Sequence, residues 1–86
     1  MFNNIRNKRK FRKLVDQFSF VETNYGIHKY DMYDSNLKLK YRALVYNNTV
    51  TFYSSDGKWI PIKGKSFMKK FVNRLESPYR SKSIYR

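Results

Sequence analysis

Residues 40–59 read KYRALVYNNTVTFYSSDGKW, and the length of the second of the two turns in this stretch decides which aromatic rings face the core. Alternation through residues 37–46 (LKLKYRALVY) sets Leu37, Leu39, Tyr41, Ala43 and Val45 on one side of a strand and Lys38, Lys40, Arg42, Leu44 and Tyr46 on the other. Asn47-Asn48 suits a two-residue type I′ hairpin, because asparagine enters the left-handed backbone region at little cost. That turn pairs Val45 with Val50 and Ala43 with Phe52 inside, and Arg42 with Tyr53 and Leu44 with Thr51 outside. If Asp56-Gly57 alone forms the next loop, Trp59 turns inward and Ile60 and Ile62 are driven to solvent. If Ser55-Asp56-Gly57 forms a three-residue loop with a glycine bulge, Phe52 pairs with Ile60 and Val50 with Ile62 inside, and Tyr53 pairs with Trp59 outside. A one-residue slip exchanges the two faces, and only the second register buries both isoleucines. It also requires Gly57 to take a positive φ.

The outer face of this three-stranded meander then carries Lys40, Arg42, Tyr46, Tyr53 and Trp59, with Lys38 and Lys63 at its margins. Two uses of such a face stay open at this point. A helix covers it and the rings form a second small core, or it faces solvent as a platform on which unstacked bases lie while neighbouring cations hold phosphates.

Working outward, a helix is expected on either side. Over residues 3–17, Phe11, Leu14, Val15 and Phe18 recur on one helical face, and Arg6, Lys8, Arg9, Lys10, Arg12 and Lys13 fill most of the remainder. In the C-terminal helix Ser66 is the expected N-cap and Phe67, Met68, Phe71, Val72 and Leu75 form the apolar stripe. Lys69, Lys70, Asn73 and Arg74 face away from it, with Lys65 just before, and Ser77-Pro78 is expected to end the helix. Residues 79–86 read as a short, basic, partly disordered tail, so one domain covers residues 1–78. Residues 19–36, which include NYGIHKYDMYD with Tyr25, Tyr30 and Tyr33, read as an irregular segment or a fourth strand. The expected fold class is therefore α+β: a basic N-terminal helix, an antiparallel meander and a C-terminal helix.

Charge narrows the partner. The 86 residues carry a net charge of +13, of which residues 1–18 hold +5, residues 19–62 only +1, and residues 63–86 +7. Such a balance favours association with a polyanion. The absence of cysteine rules out a disulfide framework and any thiolate site, and no apolar run reaches the roughly 18 residues of a membrane span. The N-terminus lacks the apolar stretch of a secretory signal, and a cytoplasmic protein is expected.

Catalytic chemistry has little to work with. His28 is the single histidine and reads as a surface residue. Asp31 and Asp34 read as loop carboxylates rather than a magnesium site, and SDGK and KGKS lack the glycines of a phosphate-binding loop. No catalytic residue, metal or cofactor is expected.

Three resemblances bear on function. The order helix, three strands, helix, with Lys69 and Lys70 following KGKS, is similar to the topology of double-stranded-RNA-binding domains, which implies recognition of RNA through phosphates and 2′-hydroxyls. LKYRALVY followed by a hairpin resembles the core strand of RelE-type ribonuclease toxins, which implies a small ribonuclease as the alternative function. The short length, the abundance of Asn, Lys, Tyr and Phe and the lack of cysteine resemble the accessory early proteins of T-even-type phages. That likeness implies a small, basic, RNA-binding inhibitor of a ribonuclease toxin or other host defence protein. The expected partner is RNA ahead of DNA, with a pure protein-binding inhibitor as a further alternative and no membrane partner.

Overall fold

Five antiparallel strands follow one another in a simple meander, with one helix before them and one after. The computed structural model describes the backbone of residues 2–84 and the side chains of residues 4–77. Helix α1 spans Phe2–Leu14 and tightens into a 3₁₀ turn at Val15–Gln17. The strands are β1 Ser19–Asn24, β2 Ile27–Tyr33, β3 Leu39–Tyr46, β4 Thr49–Ser54 and β5 Trp59–Ile60, and helix α2 spans Lys65–Ile84. The class is α+β as expected, with two strands where residues 19–36 were read as one strand or none.

Local chemistry explains each turn. Asn47 and Asn48 take φ of 54° and 61°, the two left-handed residues of a type I′ hairpin, and the β3–β4 register matches expectation pair for pair. Gly57 takes φ of 85° in the three-residue loop closed by the Ser54 N–H donating to the Lys58 carbonyl at 2.9 Å. The Asp56 carboxylate accepts from the Ser54 hydroxyl and, at 3.4 Å, from the Lys58 N–H, and these bonds lower its pKa. Phe52 consequently pairs with Ile60 and Tyr53 with Trp59. The expected Val50–Ile62 pair does not form: β5 stops at Ile60, and the chain beyond it turns to α1, where the Pro61 carbonyl accepts from Asn7 and the Lys63 N–H donates to Asn4. Ile62 is buried all the same.

The β1–β2 hairpin turns on Tyr25-Gly26, with φ of 54° and 77°. A bulky ring at a left-handed position hides what would otherwise read as a turn. Between β2 and β3, the Asp34 carboxylate accepts from the N–H groups of Asn36 and Lys38 at 2.8 and 3.1 Å. This side-chain turn pulls Leu37 out of the strand it was expected to start; it sits at φ 63° and 84% exposed.

Both helices lie on the same face of the sheet. Phe52 shows this most directly: the Phe11 ring of α1 stacks on it with centroids 4.4 Å apart, and the Phe71 ring of α2 meets it edge-on at 4.8 Å. Phe18 sits between them, 6.2 Å from Phe52 and 6.0 Å from Phe71. The inward residues Tyr30, Met32, Ala43, Val45, Val50 and Phe52 complete the core with Val15, Phe67, Val72 and Leu75. Six cations on α1 repel at helical spacing, so this burial, and not intrinsic propensity, holds the helix.

Two expectations about α2 are corrected. The first intrahelical bond runs from the Met68 N–H to the Gly64 carbonyl at 3.0 Å, which makes Gly64 and not Ser66 the N-cap. Gly64 has φ of 128°, a backbone conformation that side chains rarely adopt, and this selects glycine; the end of the Lys8 side chain lies against it. At the other end α2 continues through Ser77-Pro78 to Ile84. Proline forfeits one hydrogen bond at a cost of about 3 kcal/mol, but it does not bar later residues from helical dihedrals. Of the expected tail, only the backbone of residues 79–84 is described, and residues 85–86 lie outside the described residues.

Candidate nucleic-acid interface

With both helices behind it, the outer face of the sheet is open. The strand registers align Ser19, Asp31, Arg42, Tyr53 and Trp59 in one row across all five strands. Trp59 is 59% exposed and Tyr53 half-buried beside it. Arg42 binds the Asp31 carboxylate through two bonds, Nε to Oδ1 at 2.7 Å and Nη2 to Oδ2 at 3.1 Å, and the Tyr33 hydroxyl donates to the same carboxylate at 3.4 Å. The carboxylate raises the already high pKa of Arg42, through its hydrogen bonds first and its charge second. Asp31 is only 3% exposed although it belongs to the solvent-facing side, because its partners lie over it.

This arrangement changes what Arg42 can do. Its charge is balanced within the sheet, and two parallel bonds fix the guanidinium plane on the strand that pairs Arg42 with Tyr53. Further along the face, Lys29 is paired with Glu22 at 3.1 Å. Tyr46 lies exposed at one end, its ring alongside Gly26, and Tyr33 is exposed at the other. Lys40 stands exposed on the same face, and Lys38 is exposed in the β2–β3 turn. The sheet face thus offers rings and a flat cation, with Arg42 and Lys29 neutralised locally and Lys38 and Lys40 without an ion pair among the described residues.

The helical layer is the reverse. Arg6, Arg9, Lys10 and Lys13 surround the exposed Ile5 on one side of α1, with no acidic residue anywhere in that helix. Arg12, Lys70 and Arg74 line a groove of about 160 Å³ between α1 and α2, floored by Val15, Phe67 and Phe71. Among the described residues the only carboxylate paired with this set is Asp16, 2.5 Å from Arg74. Lys63 is exposed on the link into α2 and Lys65 at the first position of the helix, and Lys69 lies near Asn48. Lys8 is partly buried against Gly64 and helps to seat α1 on that link. Asn4 and Asn7 do the same, accepting from the Lys63 N–H at 2.6 Å and donating to the Pro61 carbonyl at 3.1 Å.

The expected interface residues therefore fall into two groups on opposite sides: Lys40, Arg42, Tyr46, Tyr53 and Trp59 on the sheet, and Arg6, Arg9, Arg12, Lys13, Lys70 and Arg74 on the helices. Asp31 and Tyr33, which hold Arg42, were missed; the alternation in KYDMYD was the available signal, obscured by the unread turn at Tyr25-Gly26. His28 is half-buried and not a surface residue, because it lies on the inner side of β2, where Nδ1 meets Glu76 Oε2 of α2 at 2.7 Å. Asp31 and Asp34 serve separate structural bonds, and no group of three metal-ligating residues occurs among the described residues. Comparison with protein-family models, curated proteins and solved structures finds no match to this chain.

Proposed function

We propose that the protein binds single-stranded RNA on its open sheet face and that the cationic helical layer draws the polyanion in. The observation that carries this reading is the outward-facing row of half-buried Arg42, half-buried Tyr53 and exposed Trp59 on a sheet whose two helices both pack on the other side. Adjacent strands are about 4.8 Å apart, so the row sets three flat groups on neighbouring strands side by side. Each base that stacks on a ring contributes roughly 1–3 kcal/mol without regard to its identity. Lys38, Lys40 and Lys63 at the border supply phosphate contacts. Single-stranded and irregular targets reward such a platform, which favours RNA over duplex DNA.

Trp59 is the only tryptophan in the chain, so its fluorescence reports on the platform alone. Titration with oligouridine should quench it with the same affinity that anisotropy of the labelled oligonucleotide gives. Binding without quenching would move the interface away from the sheet.

The likeness to accessory early phage proteins gives the reading its specific form, an inhibitor that reaches a ribonuclease toxin through bound RNA. A complex with such a toxin should then dissolve when nuclease is added. A nuclease-resistant complex would point to direct protein binding, and cleavage of the oligonucleotide by the purified protein to a ribonuclease.

A further inference from the structure

We infer that the helical layer is a second nucleic-acid surface, specific for the phosphate backbone of a duplex, and that the protein bridges a duplex held there to a single strand held on the sheet. The inference rests on the sheet-face reading for the single-strand half of the bridge.

Three observations support it. First, the core separates the two surfaces: Phe11 and Phe71 pack on the inner side of Phe52, whereas Tyr53 and Trp59 stand on the other side of the same sheet. A ligand lying flat on one surface does not reach the other. Second, among the described residues the exposed cations of α1 have no ionic partner, although Lys10 reaches the Tyr41 hydroxyl at 3.5 Å and Arg12 lies 6.0 Å from the Phe67 ring centre. Among the described residues no carboxylate pairs with Arg6, Arg9, Arg12 or Lys13, while the sheet cations Arg42 and Lys29 are both paired. Third, among the described residues the two helices offer no exposed ring to a base. Phe11, Phe67 and Phe71 are buried, and Ile5 is the exposed apolar side chain amid the stripe.

A surface of cations without aromatics rewards phosphates and gives nothing to an unstacked base, which is the requirement for gripping a duplex through its backbone. Arg6, Arg9, Lys10 and Lys13 lie at i, i+3, i+4 and i+7, so they form one rigid stripe about 10 Å long. Arg12, Lys70 and Arg74 continue the cationic surface into the groove between the helices.

The test uses the whole protein, a donor-labelled oligouridine and an acceptor-labelled blunt RNA duplex. Each should bind alone, and the two together should show energy transfer that requires protein and declines when protein is in excess. Arg6→Gln/Arg9→Gln/Lys13→Gln should abolish the transfer and lower the slope of log duplex affinity against log salt by about 0.9 per lost contact, while oligouridine still quenches Trp59. Unchanged thermal melting of this variant separates lost contacts from lost fold, since all three side chains are exposed. Displacement of the oligouridine by the duplex, with no ternary complex, would overturn the bridge in favour of one continuous surface. Tighter binding of poly-glutamate than of a duplex of equal charge would overturn it in favour of an acidic protein partner. Duplex binding with no quenching by oligouridine would overturn the sheet-face reading, and the bridge with it.

Discussion

The helical layer and the open sheet face are made from the same two kinds of residue, basic and aromatic, with opposite assignments. On the helices the rings of Phe11, Phe67 and Phe71 point inward, and the cations of α1 point outward without ionic partners among the described residues. On the sheet the rings of Tyr33, Tyr46 and Trp59 are exposed and that of Tyr53 half-buried on the same face, while Arg42 and Lys29 are tied to Asp31 and Glu22. The rings that stay exposed are those with a polar edge, which tolerate a surface that is half wet. The contrast teaches that a high positive charge and a high aromatic content need not make one mixed binding surface. Here they make two: one suited to phosphates and one suited to bases.

The sharpest test of that division sets neighbours on a single strand against each other. Phe52→Ala removes the ring on which both helices converge and should cost about 3–5 kcal/mol of unfolding free energy. Tyr53→Ala, one residue along and facing out, should cost no more than about 1 kcal/mol in the same denaturant titration. Equal losses would mean that the outer face is as structural as the inner.

Arg42→Ala comes next. It strands the buried Asp31 carboxylate with the Tyr33 hydroxyl as its remaining side-chain partner, and should cost about 3 kcal/mol, the low end of the range for an orphaned buried charge, because water enters as the guanidinium leaves. Arg42→Ala/Asp31→Ala should recover part of that loss. If the single variant is as stable as wild type, the pair is a surface ornament and the guanidinium is free to move.

Trp59→Ala separates binding from folding. RNA affinity should fall by about 1–3 kcal/mol, while the melting temperature changes little because the indole is 59% exposed. Loss of stability with unchanged affinity of the folded fraction would break the comparison, since Trp59 would then be core.

The smallest effect is expected at the loop that sets the register. Gly57→Val forces a β-branched residue to φ 85°, a penalty of about 1–2 kcal/mol, with open space around the site and therefore no clash to add. Oligouridine quenching of Trp59 in this variant reports whether the Tyr53–Trp59 alignment survives the strain.

Much of this molecule was legible from short-range chemistry. Asn47-Asn48 and Ser55-Asp56-Gly57 fix their own backbone angles, and alternation then dictates which side of each strand is apolar; both hairpins of residues 39–60 formed in the expected register. The apolar stripes of both helices were legible for the same reason, since period alone assigns their faces. Where local preference and local conformation disagreed, the reading failed. Tyr25 occupies a left-handed turn position that favours asparagine or glycine, so the β1–β2 hairpin went unread, and α2 passes a proline that ordinarily ends a helix.

Sequence by itself determined the α+β class, the central register and the outward direction of Tyr53 and Trp59. Only the tertiary structure decided that both helices pack on one face and leave the other open, that Gly64 rather than Ser66 starts α2 beneath Lys8, and that Asp31 claims Arg42. The physical reason is range. Turn angles and side-chain alternation depend on residues a few positions apart, whereas helix docking and ion pairing depend on which distant surfaces meet, and a sheet with two usable faces does not announce which one its helices will cover.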